Sequence, residues 1–328
     1  MRNTIDRRYF LKLSAFGAGA VLLKPSSLFA WKQKKSGDIR FAMSSDVHLR
    51  YRPKDFGCPT ASVSTPEQRW SDFFSAAAKW NADVVIDLGD LQPRTFETGP
   101  GKQALDTWNA WHKEKIAVYG NHDNDFMPKE EYLKAMGMPA PYYTKRIKDW
   151  TFIVLDTGEL HVPSGVNESD WGFGAKGNEW GQEQFPWLKE QIEQAPGYCV
   201  ILSHFCVRHG DTPSPTERFR KLIKEANEKA GYIKLVACFY GHRHIPRVDK
   251  VDGVLFIGMN SMSYRYIPER NWFFYRDPAP SAVGTFTEDG KIYMTGTGKP
   301  NNWALDCEKT PSISPPDDLT YQISIPKK

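Results

Sequence analysis

The sequence predicts an α/β sandwich on two observations: short runs rich in β-branched residues alternate with helical segments, and helix-start signals stand between consecutive runs. The runs fall at residues 39–43, 84–88, 116–119, 152–155, 200–202, 235–240 and 254–257. Between the first two, Thr65-Pro66-Glu67-Gln68 has the form of a capping box with proline at the first helical position. Trp70, Phe73, Phe74 and Ala77 then follow at helical spacing, which completes a β-α-β unit. A second start, Ser214-Pro215-Thr216-Glu217, precedes Phe219, Leu222, Ile223 and Ala226 on one helical face and leads into the run ending at Tyr240. Residues 159–181 show little periodicity, so a long loop is expected before a helix carrying Trp187 and Leu188. Gly284-Thr285-Phe286 and Ile292-Tyr293-Met294 predict a closing hairpin. The proline-rich end reads as irregular, which gives an N-terminal segment over residues 1–30, one domain over 31–298 and a tail over 299–328.

With 328 residues, 40% of them hydrophobic and 25% charged, the chain can bury a substantial core. Its net charge of +4 is carried by the first 30 residues, where Arg2, Arg7, Arg8, Lys12 and Lys24 face Asp6 alone. The remainder is near neutral, so a polymeric nucleic acid finds no global electrostatic footprint. That same segment reads Asp6-Arg7-Arg8-Tyr9-Phe10-Leu11-Lys12, an apolar run over residues 13–23, Lys24-Pro25 and a small residue for cleavage at Ala30. It resembles a twin-arginine (Tat) signal peptide, which implies export by the Tat machinery, as a folded protein, to the periplasm or the cell exterior. The apolar run is about half of the roughly 20 residues that span a bilayer, so no stable transmembrane anchor is expected. Cys58, Cys199, Cys206, Cys238 and Cys307 contain no C-x-x-C pair, and an odd number cannot pair completely within one chain. Cys199 and Cys238 sit in apolar runs and read as buried thiols.

The ends of the predicted strands carry the chemistry. Asp46-Val47-His48 follows the first; with one residue between them, two side chains of an extended chain point the same way and can grip one ion. Gly89-Asp90 follows the second, Gly120-Asn121-His122-Asp123 the third, His204 a later one, and Gly241-His242-Arg243-His244 the run ending at Tyr240. Mixed imidazole and oxygen donors suit manganese, iron or zinc and argue against calcium or magnesium alone. Lone histidines such as His112 and His161 read as surface or packed residues. Trp70, Trp80 and Trp187 fit helix faces, while Trp171, Phe173 and Tyr264 are the candidate rim aromatics.

In this order, D-x-H, G-D, G-N-H-D, a single histidine and G-H-x-H, the motifs resemble those of the calcineurin-like metallophosphoesterase family over residues 39–257. The resemblance implies a four-layer α-β-β-α sandwich with two transition-metal ions at the strand ends. Asp46, His48 and His244 would hold one ion, Asn121, His204 and His242 the other, and Asp90 would bridge them. A small phosphomonoester or phosphodiester would be hydrolysed by a metal-bridging hydroxide, with His122 protonating the leaving oxygen. Arg243, His209 and Tyr264 are candidate substrate contacts. Many relatives place an aspartate three positions after the bridging one to orient the catalytic histidine. Here that position is Pro93, leaving Asp123, Asp125 and Asp156 as possible substitutes. The Trp171-Gly172-Phe173-Gly174 stretch, Gln184, Trp187-Leu188 and Asp252-Gly253 are similar to enzymes that split ADP-ribose or CDP-alcohols, so a nucleotide-linked diphosphate is the alternative substrate. Those enzymes tend to carry glutamine at the position of His48. A metal-containing binding protein without catalysis is the alternative of a different class.

Overall fold

The computed structural model describes residues 36–50, 64–157, 180–207, 213–267, 272–276, 279–297, 300–303 and 320–323, all within the unit Ser36–Lys328. The arginine-pair segment, nearly all of the predicted long loop, His161, Trp171, Phe173, His209, Cys58 and Cys307 lie outside the described residues.

The first half is built from β1 (Ile39–Ser44), α1 (Pro66–Trp80), β2 (Val84–Asp87), α2 (Gly99–Ala110), β3 (Glu114–Ala117), a 3-10 turn at Asn121–Asn124 and α3 (Lys129–Met136). α1 begins where the capping box places it: Thr65 Oγ1 accepts from the Gln68 amide at 3.3 Å, and Asn81 ends the helix in the left-handed region at φ 55°. Its Trp70, Phe73, Phe74 and Ala77 pack with Trp108 of α2 against one face of the sheet. β1 pairs with β2 and β2 with β3, both in parallel. Side chains alternate as the strand pleat dictates: Ile39, Phe41 and Met43 enter the central core and Ala42 faces the helices.

The second half runs through β4 (Tyr143–Ile147), β5 (Trp150–Val154), α4 (Trp180–Gln194), β6 (Tyr198–Ser203), α5 (Pro213–Ala230), β7 (Leu235–Tyr240), β8 (Arg247–Val251) and β9 (Val254–Gly258). α5 begins one residue before the predicted Ser214. These strands form a six-stranded sheet in the order β4-β5-β6-β7-β9-β8, with parallel strands at the centre and antiparallel ones at both edges. β10 (Tyr264–Ile267), β11 (Trp272–Arg276), β12 (Ser281–Phe286), β13 (Ile292–Thr297), β14 (Pro300–Trp303) and β15 (Thr320–Ile323) follow. The predicted hairpin is β12 and β13, and it extends the first sheet to the order β15-β13-β12-β1-β2-β3. The stretch after Lys299 is not irregular throughout: β14 pairs with β11 in a small sheet with β10, and β15 pairs with β13.

The two large sheets pack face to face. Phe41, Met43 and Ile86 from the first meet Phe152, Val154, Leu202 and Phe239 from the second, and Phe286 of the first lies edge-on to Phe152 at 5.2 Å between ring centroids. Helices α1, α2 and α3 cover the outer face of one sheet, and α4 and α5, through Leu188, Ile192, Phe219 and Ile223, cover that of the other. The result is the expected four-layer α-β-β-α sandwich. Each of these large apolar side chains contributes about 1.5–3 kcal/mol by leaving water, so the strand positions, and hence the loops at their ends, are firmly fixed. Among the described residues no helix is long and apolar enough to cross a membrane.

Candidate metal centre

Past the end of β1 and β2 the backbones stay paired: the amides of Asp46, His48 and Leu49 donate to the carbonyls of Gly89, Asp90 and Leu91 at 2.9–3.0 Å. The chain there is not extended, as the D-x-H spacing suggested. Asp46, His48, Asp90, Gln92, His242 and His244 all have φ between 49° and 64°. Each non-glycine residue held in the left-handed region costs about 1–3 kcal/mol, a strain that persists only where the surroundings impose it. The motif glycines let these loops converge. A Cβ on Gly120 would lie 2.2 Å from Asp90 Oδ1, and one on Gly241 would lie 2.0 Å from Ser45 Oγ.

Two donor groups result: Asp46, His48 and His244, and Asp90, His204 and His242, each with ligand atoms within 4.8 Å of one another. Asn121 joins the second, its Oδ1 lying 3.1 Å from His204 Nε2. Tautomers follow from the partners. His48 Nδ1 meets Gln92 Oε1 at 3.0 Å, His204 Nδ1 meets the Leu88 carbonyl at 2.8 Å and His244 Nδ1 meets the Tyr264 carbonyl at 2.7 Å, so each donates there. Their Nε2 lone pairs therefore all face inward.

Without a cation that arrangement is repulsive. His48 Nε2 and His244 Nε2 are 3.2 Å apart, and Asp90 Oδ2 is 3.1 Å from His204 Nε2 and 3.7 Å from His48 Nε2. With these imidazoles neutral, Asp90 Oδ2 is buried and accepts no hydrogen bond. An orphaned carboxylate oxygen ringed by imidazole lone pairs is what a shared cation satisfies, so the residues fit a dinuclear centre. The titration tendencies agree. Burial pushes His48 down to about 4 and His242 to about 3, the neutral forms that bind metal. Burial also opposes charge on His204, but the adjacent Asp90 carboxylate draws it up to about 10: where no ion stands, a proton takes its place. Burial resists ionisation of Asp46 as well, yet His244 beside it holds the carboxyl at about 2. Asp90 is held low against burial, chiefly by His204.

Of the candidate orienting acids, Asp125 faces His122: its Oδ2 lies 3.1 Å from His122 Nδ1 and accepts from Gln92 Nε2 at 2.6 Å. Asp123 is committed elsewhere, accepting from the amides of Asp90, Gln92 and Gly120 at 2.8–3.0 Å, and Asp156 is paired with Lys129. Gln92 thus links His48 to Asp125, a role the sequence reading missed. The signal available was its place two residues after Asp90, repeating the one-residue spacing of the ligand pairs. Tyr264 is not at the rim: it is 8% exposed, with its ring 5.4 Å from that of His48 and 4.7 Å from that of His244. Arg243 is exposed between its two neighbouring histidines. Asp87 supports the strand end by accepting from Ser44 Oγ at 2.9 Å.

The Calcineurin-like phosphoesterase family profile matches residues 39–246, from β1 through the last donor histidine. The chain belongs to that family. It is a metal-dependent phosphoric ester hydrolase, and the two donor groups are its candidate metal sites. Its architecture is similar to that of a dimetal phosphatase from Danio rerio, 16% identical, with a TM-score of 0.53 over 79% of this chain and 96% of that one. It is also similar to GAP50, described as the anchor in the inner membrane complex of Plasmodium, 14% identical, with a TM-score of 0.55 over 89% and 90%. At such identities the likeness establishes the fold alone. No curated protein matches the phosphoesterase.

Proposed function

We propose that this phosphoesterase hydrolyses a small phosphomonoester or phosphodiester, with Asp46, His48 and His244 on one ion, Asn121, His204 and His242 on the other, and Asp90 shared. The observation that carries this reading is Asp90 Oδ2, buried between His48 Nε2 and His204 Nε2 and without a hydrogen bond while both imidazoles are neutral. Manganese, iron or zinc suits the donors. Such a pair of ions, when bound, acidifies a water for attack and neutralises charge on the phosphoryl oxygens.

The protein's own contribution is positional. His122 has its side chain 36% exposed, and its backbone amide donates to Asp90 Oδ1 at 2.8 Å, which ties the imidazole to the bridging carboxylate. With Nδ1 held by Asp125, His122 keeps Nε2 to hand a proton to the leaving oxygen. Export through the Tat machinery is supported by Arg7, Arg8 and the apolar run that follows them.

The test is protein lacking residues 1–30, stripped of metal and reloaded with manganese, iron or zinc, assayed on p-nitrophenyl phosphate and bis-p-nitrophenyl phosphate. Turnover should fall more than about a hundredfold in Asp90→Asn. Wild-type activity no greater than that of the variant with every metal would overturn the reading and favour a binding protein.

A further inference from the structure

We propose that Thr157 is a positioning residue for the second ion: its hydroxyl oxygen sets the backbone of His204 and, through Phe205, the ring of His242. This rests on the dinuclear reading above and adds to it a residue that acts on the donors through their backbone.

Strand pairing brings Thr157 to its place. β5 and β6 run in parallel as far as the Leu155 amide, which donates to the Leu202 carbonyl at 2.9 Å. Just past that point the amides of His204 and Phe205 both donate to Thr157 Oγ1, at 3.2 and 3.0 Å. A hydroxyl oxygen has two acceptor lone pairs, so one side chain satisfies two consecutive amides. Thr157 is 2% exposed, and His204 and Phe205 are buried with it, so bulk water is poorly placed to take over these bonds. Thr157 is itself held by its neighbour. The Asp156 amide donates to Gln184 Oε1 at 3.1 Å, and Gln184 Nε2 donates to the Asp156 carbonyl at 3.0 Å. Gln184 stands on α4 and is 1% exposed. In the sequence it belongs to a stretch similar to enzymes of nucleotide-linked diphosphates; in the fold, both ends of its amide serve the backbone beside Thr157.

Both consequences fall on one ion. His204 is fixed through its backbone amide by Thr157 and through Nδ1 by the Leu88 carbonyl, which leaves Nε2 facing Asn121 Oδ1 and Asp90 Oδ2. Phe205 is fixed through its amide by Thr157 and through its carbonyl by Ser203 Oγ, which donates at 2.8 Å. The Phe205 ring then packs on that of His242, with centroids 4.0 Å apart. The donors of the first ion are held from elsewhere: His48 by Gln92, His244 by the Tyr264 carbonyl, and Asp46 by Ser45 Oγ on its carboxylate and Ser261 Oγ on its carbonyl. A metal site gains affinity when its donors are already in place, so losing such support weakens binding without removing a ligand.

The experiment is a manganese titration of the metal-free full chain, followed by calorimetry and by electron paramagnetic resonance, on wild type, Thr157→Val, Thr157→Ser and Gln184→Met. Wild type should bind two ions. Thr157→Val keeps the shape of the side chain but offers the two amides no acceptor. It should weaken one site about 10–100-fold and change the other by less than about threefold, so the spin-coupled spectrum of a manganese pair gives way to that of a single ion. Thr157→Ser keeps the oxygen and should restore both sites. Placed in a His48→Ala background, which removes a donor of the first ion, Thr157→Val should still weaken the site that remains. Gln184→Met should weaken the same site as Thr157→Val, and it carries the test if Thr157→Val does not fold. Two unchanged affinities, an equal loss at both sites, or a loss that vanishes in the His48→Ala background would overturn the role of Thr157 and leave the dinuclear reading standing. Fewer than two ions on wild type would overturn that reading, and the role of Thr157 with it.

Discussion

At the scale of single residues, the centre depends on a relay of orientation. Gln92 accepts from His48 and donates to Asp125, and Asp125 holds His122 Nδ1, so the imidazoles of His48 and His122 are fixed through one amide. If Asp125 acts by positioning, its loss should matter only when the leaving group needs a proton. Asp125→Ala should lower kcat about 10–100-fold on an alkyl phosphate. On p-nitrophenyl phosphate, whose leaving group departs without protonation, the loss should be no more than about threefold. Asp125→Asn, which keeps an acceptor for His122 Nδ1, should recover most of the alkyl phosphate activity. Equal losses on both substrates in steady-state assays would count against positioning and point to a damaged fold.

At the scale of elements, the sequence was legible where structure is local. Thr65 caps α1 as its tetrapeptide predicts, and the donors stand at the ends of strands whose apolar runs are continuous. What could not be read depends on distant partners. β4 and β8 are half-exposed edge strands with mixed composition, and β14 and β15 exist through pairing with β11 and β13. The left-handed backbone of Asp46, His48, Asp90, His242 and His244 belongs to loops that pair with one another, which residue spacing does not encode. Arg69 is the plainest case. On a helix it reads as a surface cation, yet it is 1% exposed and donates through Nη1 to the carbonyls of Met262 and Ser263, both at 2.7 Å. That segment in turn supports the first donor: Met262 N donates to the Ser45 carbonyl, and Ser261 Oγ to the Asp46 carbonyl, both at 2.9 Å. Arg69→Met should therefore lower the unfolding free energy by about 3 kcal/mol, measured in urea, because it strands buried carbonyls. It should also weaken metal binding, though Arg69 touches no donor side chain; unchanged metal affinity would sever that link.

At the scale of the whole molecule, the centre joins the two sheets. Asp46, His48, Asp90 and Asn121 follow strands of the first, and His204, His242 and His244 follow strands of the second. Contacts cross directly between them: His48 Nε2 to His244 Nε2 at 3.2 Å, Asp90 Oδ2 to His204 Nε2 at 3.1 Å, and the His242 amide to both Asp46 oxygens at 3.1 Å. Ions held here bind the folded sandwich and not the unfolded chain, so loading should stabilise by mass action, about 2.7 kcal/mol at a hundred times Kd. For a domain of this size that is roughly 5–10 °C in Tm, and Tm should climb with metal concentration. The pH dependence has a definite sign. In the metal-free protein His204 is raised to about 10 by Asp90 against its burial, so the stability of that pair is fully present below its usual 6.5 and is lost as pH rises toward 10. The loaded protein, with a neutral imidazole on the ion, has no such loss. The Tm difference between loaded and chelated protein should therefore widen from pH 6.5 to 8.5 in scanning calorimetry. A difference that is constant or shrinks would mean that His204 is neutral in the metal-free protein and that some other cation meets Asp90.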